Sequence, residues 1–174
     1  RLVLGGEKVA EGMRAKLLAL AGELGAEDVH IISTYGFTEA KMALPECPTH
    51  LGVSASGFHI SPELAFFEIV DPVTGRPVPE GHSGEIVFTP LDARGTVVLR
   101  YRTGDIAEGG MTWTRCPHCG RRSPRLIGPV SRVSEVRELH LDKVKGTLVN
   151  FNILEHLLDD MKGIAAWQVE LRKL

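Results

Sequence analysis

The sequence predicts an α/β protein in three parts. Residues 1–60 hold part of a β-α-β sheet, 61–128 a β-barrel-like antiparallel subdomain, and 129–174 the start of a small α+β domain. Three observations carry this reading. The chain opens with a short apolar run, a segment of helical period and a β-branched run. From Leu64 to Cys116 short strand-like runs alternate with turn signals, and no helix lies between them. Beyond Gly128 the pattern weakens into one amphipathic helix and a last strand.

Leu2-Val3-Leu4 followed by Gly5-Gly6 reads as a short buried strand ending in a glycine turn. Val9, Met13, Leu17, Leu18 and Leu20 then recur near helical spacing, and Gly25 stops the helix. Val29 to Ser33 is the second strand. A strand-helix-strand unit of this length implies parallel strands, with ligands at their carboxyl ends. Lys41 to Ser61, rich in Pro and Gly, reads as a loop. Short strands follow within LAFFEIVD, GEIVFTP, TVVLRYR, DIAEGG and MTWTRC, with SPRLIG adding one more. FNILEHLLDDMKG has the pattern of an amphipathic helix and AAWQVELRKL that of a final strand.

The composition is that of an ordinary globular protein: 174 residues, 43% hydrophobic, 24% charged, net charge −2. This balance gives no basic surface for nucleic acid or membrane. No apolar run approaches the roughly 20 residues that span a bilayer, and no signal-peptide core is visible. The first residue is Arg1, which is expected of a piece of a longer protein or a trimmed one. Cys47, Cys116 and Cys119, an odd and low count, fit a reducing cytoplasmic setting better than a disulfide scaffold.

Two stretches carry chemistry. Tyr35-Gly36-Phe37-Thr38-Glu39 puts an aromatic face, a hydroxyl and a carboxylate at a strand end. Such a set can stack on a planar ring, bond a phosphate oxygen and hold Mg²⁺; a Tyr-Gly turn with a helix-capping Thr has the same letters. Arg100 to Asp105 puts a carboxylate after a glycine, at an expected strand-to-strand turn. It can accept two ribose hydroxyls, or be an ordinary turn Asp. A third stretch, Cys116-Pro117-His118-Cys119-Gly120, has the spacing at which two thiolates face one ion. It follows a strand rather than opening a helix, which favours a zinc knuckle over a redox pair. Arg121, Arg122 and Arg125 read as a solvated basic cluster.

In their order along the chain, LGGE, YGFTE, GEIVFT and YRTGD resemble the ordered motifs of the adenylate-forming (AMP-binding) superfamily. ECP, GFHISPE, LRYRTGD and CPHCG resemble its phenylacetate–CoA ligase branch, which includes coenzyme F390 synthetase-like enzymes. The resemblance covers residues 1–128 and makes the first sheet nucleotide-binding. It implies that Gly5, Gly6 and Glu7 lie against adenine and that Tyr35 stacks near it, with Gly36 admitting the backbone. It implies that Thr38 contacts phosphate, that Glu39 is the Mg²⁺-associated carboxylate and that Asp105 binds ribose. A substrate carboxylate then attacks the α-phosphate of ATP, pyrophosphate leaves and an acyl-adenylate forms. CoA displaces AMP in the ligases; F390 synthetase-like relatives transfer AMP without CoA, and a non-catalytic zinc-stabilised relative is the third reading.

The branch is similar in having a Cys/His metal site. On that resemblance Cys47, His59, Cys116 and Cys119 form a structural zinc site, with His50 the alternative to His59. The family's phosphate loop and catalytic lysine segment are expected outside these 174 residues, so the chain alone is expected not to turn over. In the family's hinge motif Pro129 stands at the arginine position, and Arg132 is the candidate substitute. Lys145-Gly146 and Glu155 echo the family's later motif. The expected partners are a small carboxylic acid and ATP, with the rest of a parent chain or a second copy covering the exposed sheet.

Overall fold

A computed structural model describes residues 1–6, 9, 11–47, 55–133, 143–144, 147–148, 158, 161 and 168. Glu7, His50, Lys145-Gly146 and Glu155 lie outside the described residues, as do the expected C-terminal helix and strand apart from Leu158, Met161 and Gln168.

Strand β1 (Leu2–Gly5), helix α1 (Glu11–Glu23) and strand β2 (Ile31–Gly36) form the expected unit, with β1 parallel to β2 and Gly5 opposite Thr34. A 3₁₀ turn (Thr38–Ala40) leads to β3 (Ala43–Pro45), which returns antiparallel to β2. Arg14 of α1 bonds both Ser33 Oγ on β2 and Glu46 Oε2 after β3, the latter at 2.7 Å. That cross-link fixes the helix to the sheet where the chain enters Cys47.

Strands β5 (Ala65–Val70), β6 (Gly84–Pro90), β7 (Tyr101–Ala107) and β10 (Val130–Arg132) make an antiparallel sheet in the order β10-β7-β6-β5. Alternation decides its faces. On β5, Ala65, Phe67 and Ile69 point inward while Phe66 is exposed. The inner strand β6 is buried from Gly84 to Phe88. A separate sheet joins β4 (Phe58–His59), β9 (Arg125–Leu126) and β8 (Met111–Thr112). A last pair, β11 (Lys143–Val144) and β12 (Thr147–Leu148), is antiparallel. The core gathers Ala40 and Leu44 with Ile60, Phe67, Ile86, Phe88 and Leu126. Each fully buried large side chain stabilises the fold by about 1.5–3 kcal/mol.

Four expectations change. The barrel is not closed: β5 and β10 end the four-stranded sheet, and β4, β8 and β9 pair elsewhere. Period-two patterning marks strands, but closure depends on register and shear that it does not encode. The segment 41–61 contains β3 and β4 rather than loop alone, because Pro45 sits on an outer strand where no ladder donor is needed. The runs read as two strands around Gly104 are one strand, β7, with the glycine at φ +73° inside it. Finally, β1 is largely exposed, Val3 at 65%, because little among the described residues packs on its faces.

Candidate nucleotide site and cysteine–histidine cluster

Tyr101 and Asp105 of β7 both reach residues at or just beyond the carboxyl end of β2. Tyr101 donates its hydroxyl to Glu39 Oε1 at 2.7 Å. Tyr35 donates to Asp105 Oδ2 at 2.8 Å, and Arg132 Nε lies 3.1 Å from Asp105 Oδ1. Arg132 stands directly across from Asp105 in the β10–β7 register. Its Nη1 also donates to the Thr103 carbonyl at 3.3 Å. Five groups from three separated motifs therefore form one patch: Tyr35, Glu39, Tyr101, Asp105 and Arg132.

The electrostatics follow from these contacts. The Tyr101 hydroxyl holds Glu39 below the usual carboxylate range, with its own backbone N–H and Arg132 adding to the effect. The bond to Glu39 in turn raises the Tyr101 phenol. Burial, then the Asp105 charge, raises the Tyr35 phenol far above its ordinary value, so Tyr35 stays a neutral donor. Phe37 sets the aromatic geometry: its ring meets Phe88 edge-on at 5.0 Å and stacks on Tyr101 at 6.2 Å.

Some expected site residues take different places. Asp105 is not at a turn; it is in mid-strand and 5% exposed. Thr38 is exposed, and the N-cap of its short turn is Phe37, with no side-chain cap. At Gly36 an added Cβ would lie 2.9 Å from the Met42 carbonyl, so this glycine admits the neighbouring strand β3. Gly5 and Gly6 end β1 beside Thr34; a Cβ on Gly5 would meet Thr34 Oγ1 at 2.5 Å. Tyr101 was missed as a site residue; its place two and four residues before Thr103 and Asp105 was the signal.

The second site is a cluster of Cys47, His59, Cys116 and Cys119, whose ligand atoms all lie within 4.8 Å of one another. Cys47 Sγ is 2.8 Å from His59 Nε2 and 3.5 Å from Cys116 Sγ; Cys119 Sγ is 3.6 Å from the same His nitrogen. Ligands about 2.0–2.3 Å from a tetrahedral zinc would be about 3.5–3.8 Å apart. The 3.5 and 3.6 Å separations match this, and the 2.8 Å Cys47–His59 contact is a thiol–imidazole hydrogen bond that would have to lengthen around an ion. Pairing of β4 with β9 (His59 opposite Arg125) carries the knuckle to Cys47. His59 Nδ1 is 3.0 Å from Ser123 Oγ, which orients the ring with Nε2 toward the thiols. Burial, then the neighbouring thiols, pushes Cys47 up to about 12. Burial opposes ionisation of Cys116, but the Cys119 N–H, the Ser56 hydroxyl and the His118 N–H bring it to about 5.

Arg125 is not part of a solvated basic cluster. It is 4% exposed and donates to the Ser56 carbonyl at 2.9 Å and the Thr114 carbonyl at 3.2 Å. It thereby braces both segments that flank the thiols.

The architecture is that of solved acid–CoA ligases, and by sequence the chain belongs to the adenylate-forming superfamily. Within it the chain falls in the phenylacetate–CoA ligase-like branch. It is 35% identical over 128 residues to a phenylacetate-coenzyme A ligase of Thermus thermophilus, a match covering 74% of this chain and 26% of that protein. It is 33% identical over 106 residues to the Aromatoleum evansii enzyme of the same name, covering 61% of this chain and 22% of that one. The chain thus spans about a quarter of the length of these relatives. A 2-hydroxyisobutyryl-CoA ligase, crystallised in the postadenylation state with 2-HIB-AMP, superposes with a TM-score of 0.63. That fold match covers 92% of this chain and 32% of the ligase at 20% identity. No family model matches the chain. Among the described residues, no helix is long and apolar enough to cross a membrane.

Proposed function

We propose that this chain is the ribose-binding and metal-bearing part of an AMP-forming acid–CoA ligase, which activates a carboxylate with ATP as an acyl-adenylate. The observation that carries the reading is the convergence of Tyr35, Glu39, Tyr101, Asp105 and Arg132. Asp105 receives the ribose hydroxyls, exchanging its bonds from Tyr35 and Arg132 for them. Arg132, opposite Asp105 on β10, serves in place of the arginine that Pro129 displaces. Glu39, kept ionised by Tyr101, meets the Mg²⁺ that accompanies ATP, and Thr38 contacts phosphate. Gly5 and Gly6 line adenine beside Tyr35. The protein's part in the first step is positioning and charge stabilisation.

Cys47, His59, Cys116 and Cys119 bind one structural zinc. Four protein ligands leave no open position, so the ion supplies rigidity and no Lewis-acid step.

Titration of the chain with AMP tests the nucleotide reading. Saturable binding that Asp105→Ala weakens by about tenfold or more supports it, since hydrogen bonds to a charged group carry about 1.5–3 kcal/mol. Equal binding by wild type and Asp105→Ala would refute the ribose assignment. ATP–pyrophosphate exchange by a polypeptide of the relatives' full length tests adenylation. The replacement of the hinge arginine by Pro129 favours examining AMP transfer to an acceptor other than CoA. CoA-dependent product formation separates the two.

A further inference from the structure

Glu85 is 3% exposed, yet it is a carboxylate on β6, an inner strand of the sheet. An ionised group so deep is costly unless paired and hydrogen-bonded. Both its oxygens are engaged. Oε2 accepts from Arg102, whose Nε is at 2.9 Å and whose Nη2 also bonds it. Oε1 accepts the backbone N–H of Gly104 at 3.2 Å.

The second contact is unusual in its target. Gly104 has a left-handed backbone, φ +73°, and immediately precedes Asp105. Here the β6–β7 ladder breaks register: Glu85 opposes Ile106, but Val87 opposes Arg102. One residue of β6, Ile86, thus faces Thr103, Gly104 and Asp105 of β7. A bulge of this kind re-aims side chains and leaves ladder groups unpaired. Side chains satisfy them here. Thr103 Oγ1 donates to the Ile86 carbonyl at 2.9 Å and accepts the Asp105 N–H at 3.1 Å. Arg132 serves the Thr103 carbonyl, and Glu85 serves the Gly104 N–H. A pair that merely joined two strands would need only the Arg102 contact.

We propose that Glu85 is a positioning residue for Asp105: it holds the Gly104 amide, fixes the bulge and so aims the Asp105 carboxylate at the ribose, with Arg102 as its counter-ion. This rests on the ribose-binding reading of Asp105. Arg102 is half-exposed and also donates to the Pro72 carbonyl at 2.6 Å, so it braces Glu85 from the solvent side.

The test compares affinities of the whole chain for AMP and for 2′,3′-dideoxy-AMP, which lacks the hydroxyls that Asp105 receives. Wild type should prefer AMP by about ten- to a hundredfold, the range for hydrogen bonds to a charged group. Glu85→Gln keeps an acceptor for Gly104 and should retain most of that preference. Glu85→Ala should bring it below about threefold while far-ultraviolet circular dichroism stays native. General destabilisation weakens both ligands together and leaves the ratio unchanged. Arg102→Met, altered on the exposed side, should also lower the ratio and serves if Glu85→Ala does not fold. A folded Glu85→Ala or Arg102→Met with the wild-type ratio overturns the proposal, as does equal loss in Gln and Ala variants. A wild type that does not discriminate overturns the ribose reading itself, an outcome distinct from a discriminating wild type with an equally discriminating alanine variant.

Discussion

If one zinc ion joins Cys47, His59, Cys116 and Cys119, removing it should cost a defined amount of stability. Cys47 and Cys116 are 69 positions apart, and their sulfurs lie 3.5 Å from each other. In the chain-entropy picture of a cross-link, closing a loop of that length removes about 15 cal/mol/K from the unfolded ensemble, or about 4 kcal/mol at 25 °C. Residual binding by thiols of the unfolded chain lowers this figure. For a domain of this size each kcal/mol moves the melting temperature by about 2–4 °C, so the shift should be about 8–16 °C. The assay is elemental analysis of the purified chain followed by thermal unfolding before and after exhaustive chelation. We expect one zinc per chain, the stated loss on removal, and recovery on adding zinc back. Cys116→Ser should reproduce the loss and abolish recovery. A metal-free chain with an unchanged melting temperature would refute the clip.

Other consequences are measurable. Gly57 has φ +112°, and a Cβ there would lie 2.0 Å from the Leu126 carbonyl. Gly57→Ala should therefore cost about 3 kcal/mol or more, read by urea unfolding, and should weaken zinc retention because β4 carries His59. Tyr101→Phe removes the donor that lowers Glu39, so carbon-13 titration should show that carboxylate rising toward its ordinary value. Asp71 and Glu80 are likewise lowered, by bonds from Thr74 and from Thr112 respectively. Folded values below unfolded ones mean that these carboxylates stabilise the fold above about pH 4–5 and lose that effect as pH falls through the folded values. Unfolding at graded acid pH should show the decline there; stability that does not fall in that window would refute the assignment.

Much of this was legible in the letters. The β-α-β start follows from periodicity and a glycine stop. The four cluster residues follow from knuckle spacing together with the family resemblance. Arg132 could be named as a candidate, but only the register across β10 and β7 puts it against Asp105. The bulge was not legible: Gly104 looked like a turn, because a glycine gives no sign of whether the ladder resumes beyond it. The buried role of Arg125 was hidden for a similar reason. An arginine beside Arg121 and Arg122 looks solvated until strand pairing turns it inward. Closure of the sheet was also beyond reach, since alternation specifies faces and not partners.

The exposed outer strand β1 has a practical consequence. Among the described residues no strand pairs with its outer edge, which offers backbone donors and acceptors alongside uncovered Leu2 and Val3. Such an edge recruits other strands, and a net charge of −2 gives copies little mutual repulsion. Concentrated solutions of the isolated chain should self-associate edge to edge. Lysine at Val3 is the mildest change that would keep them apart.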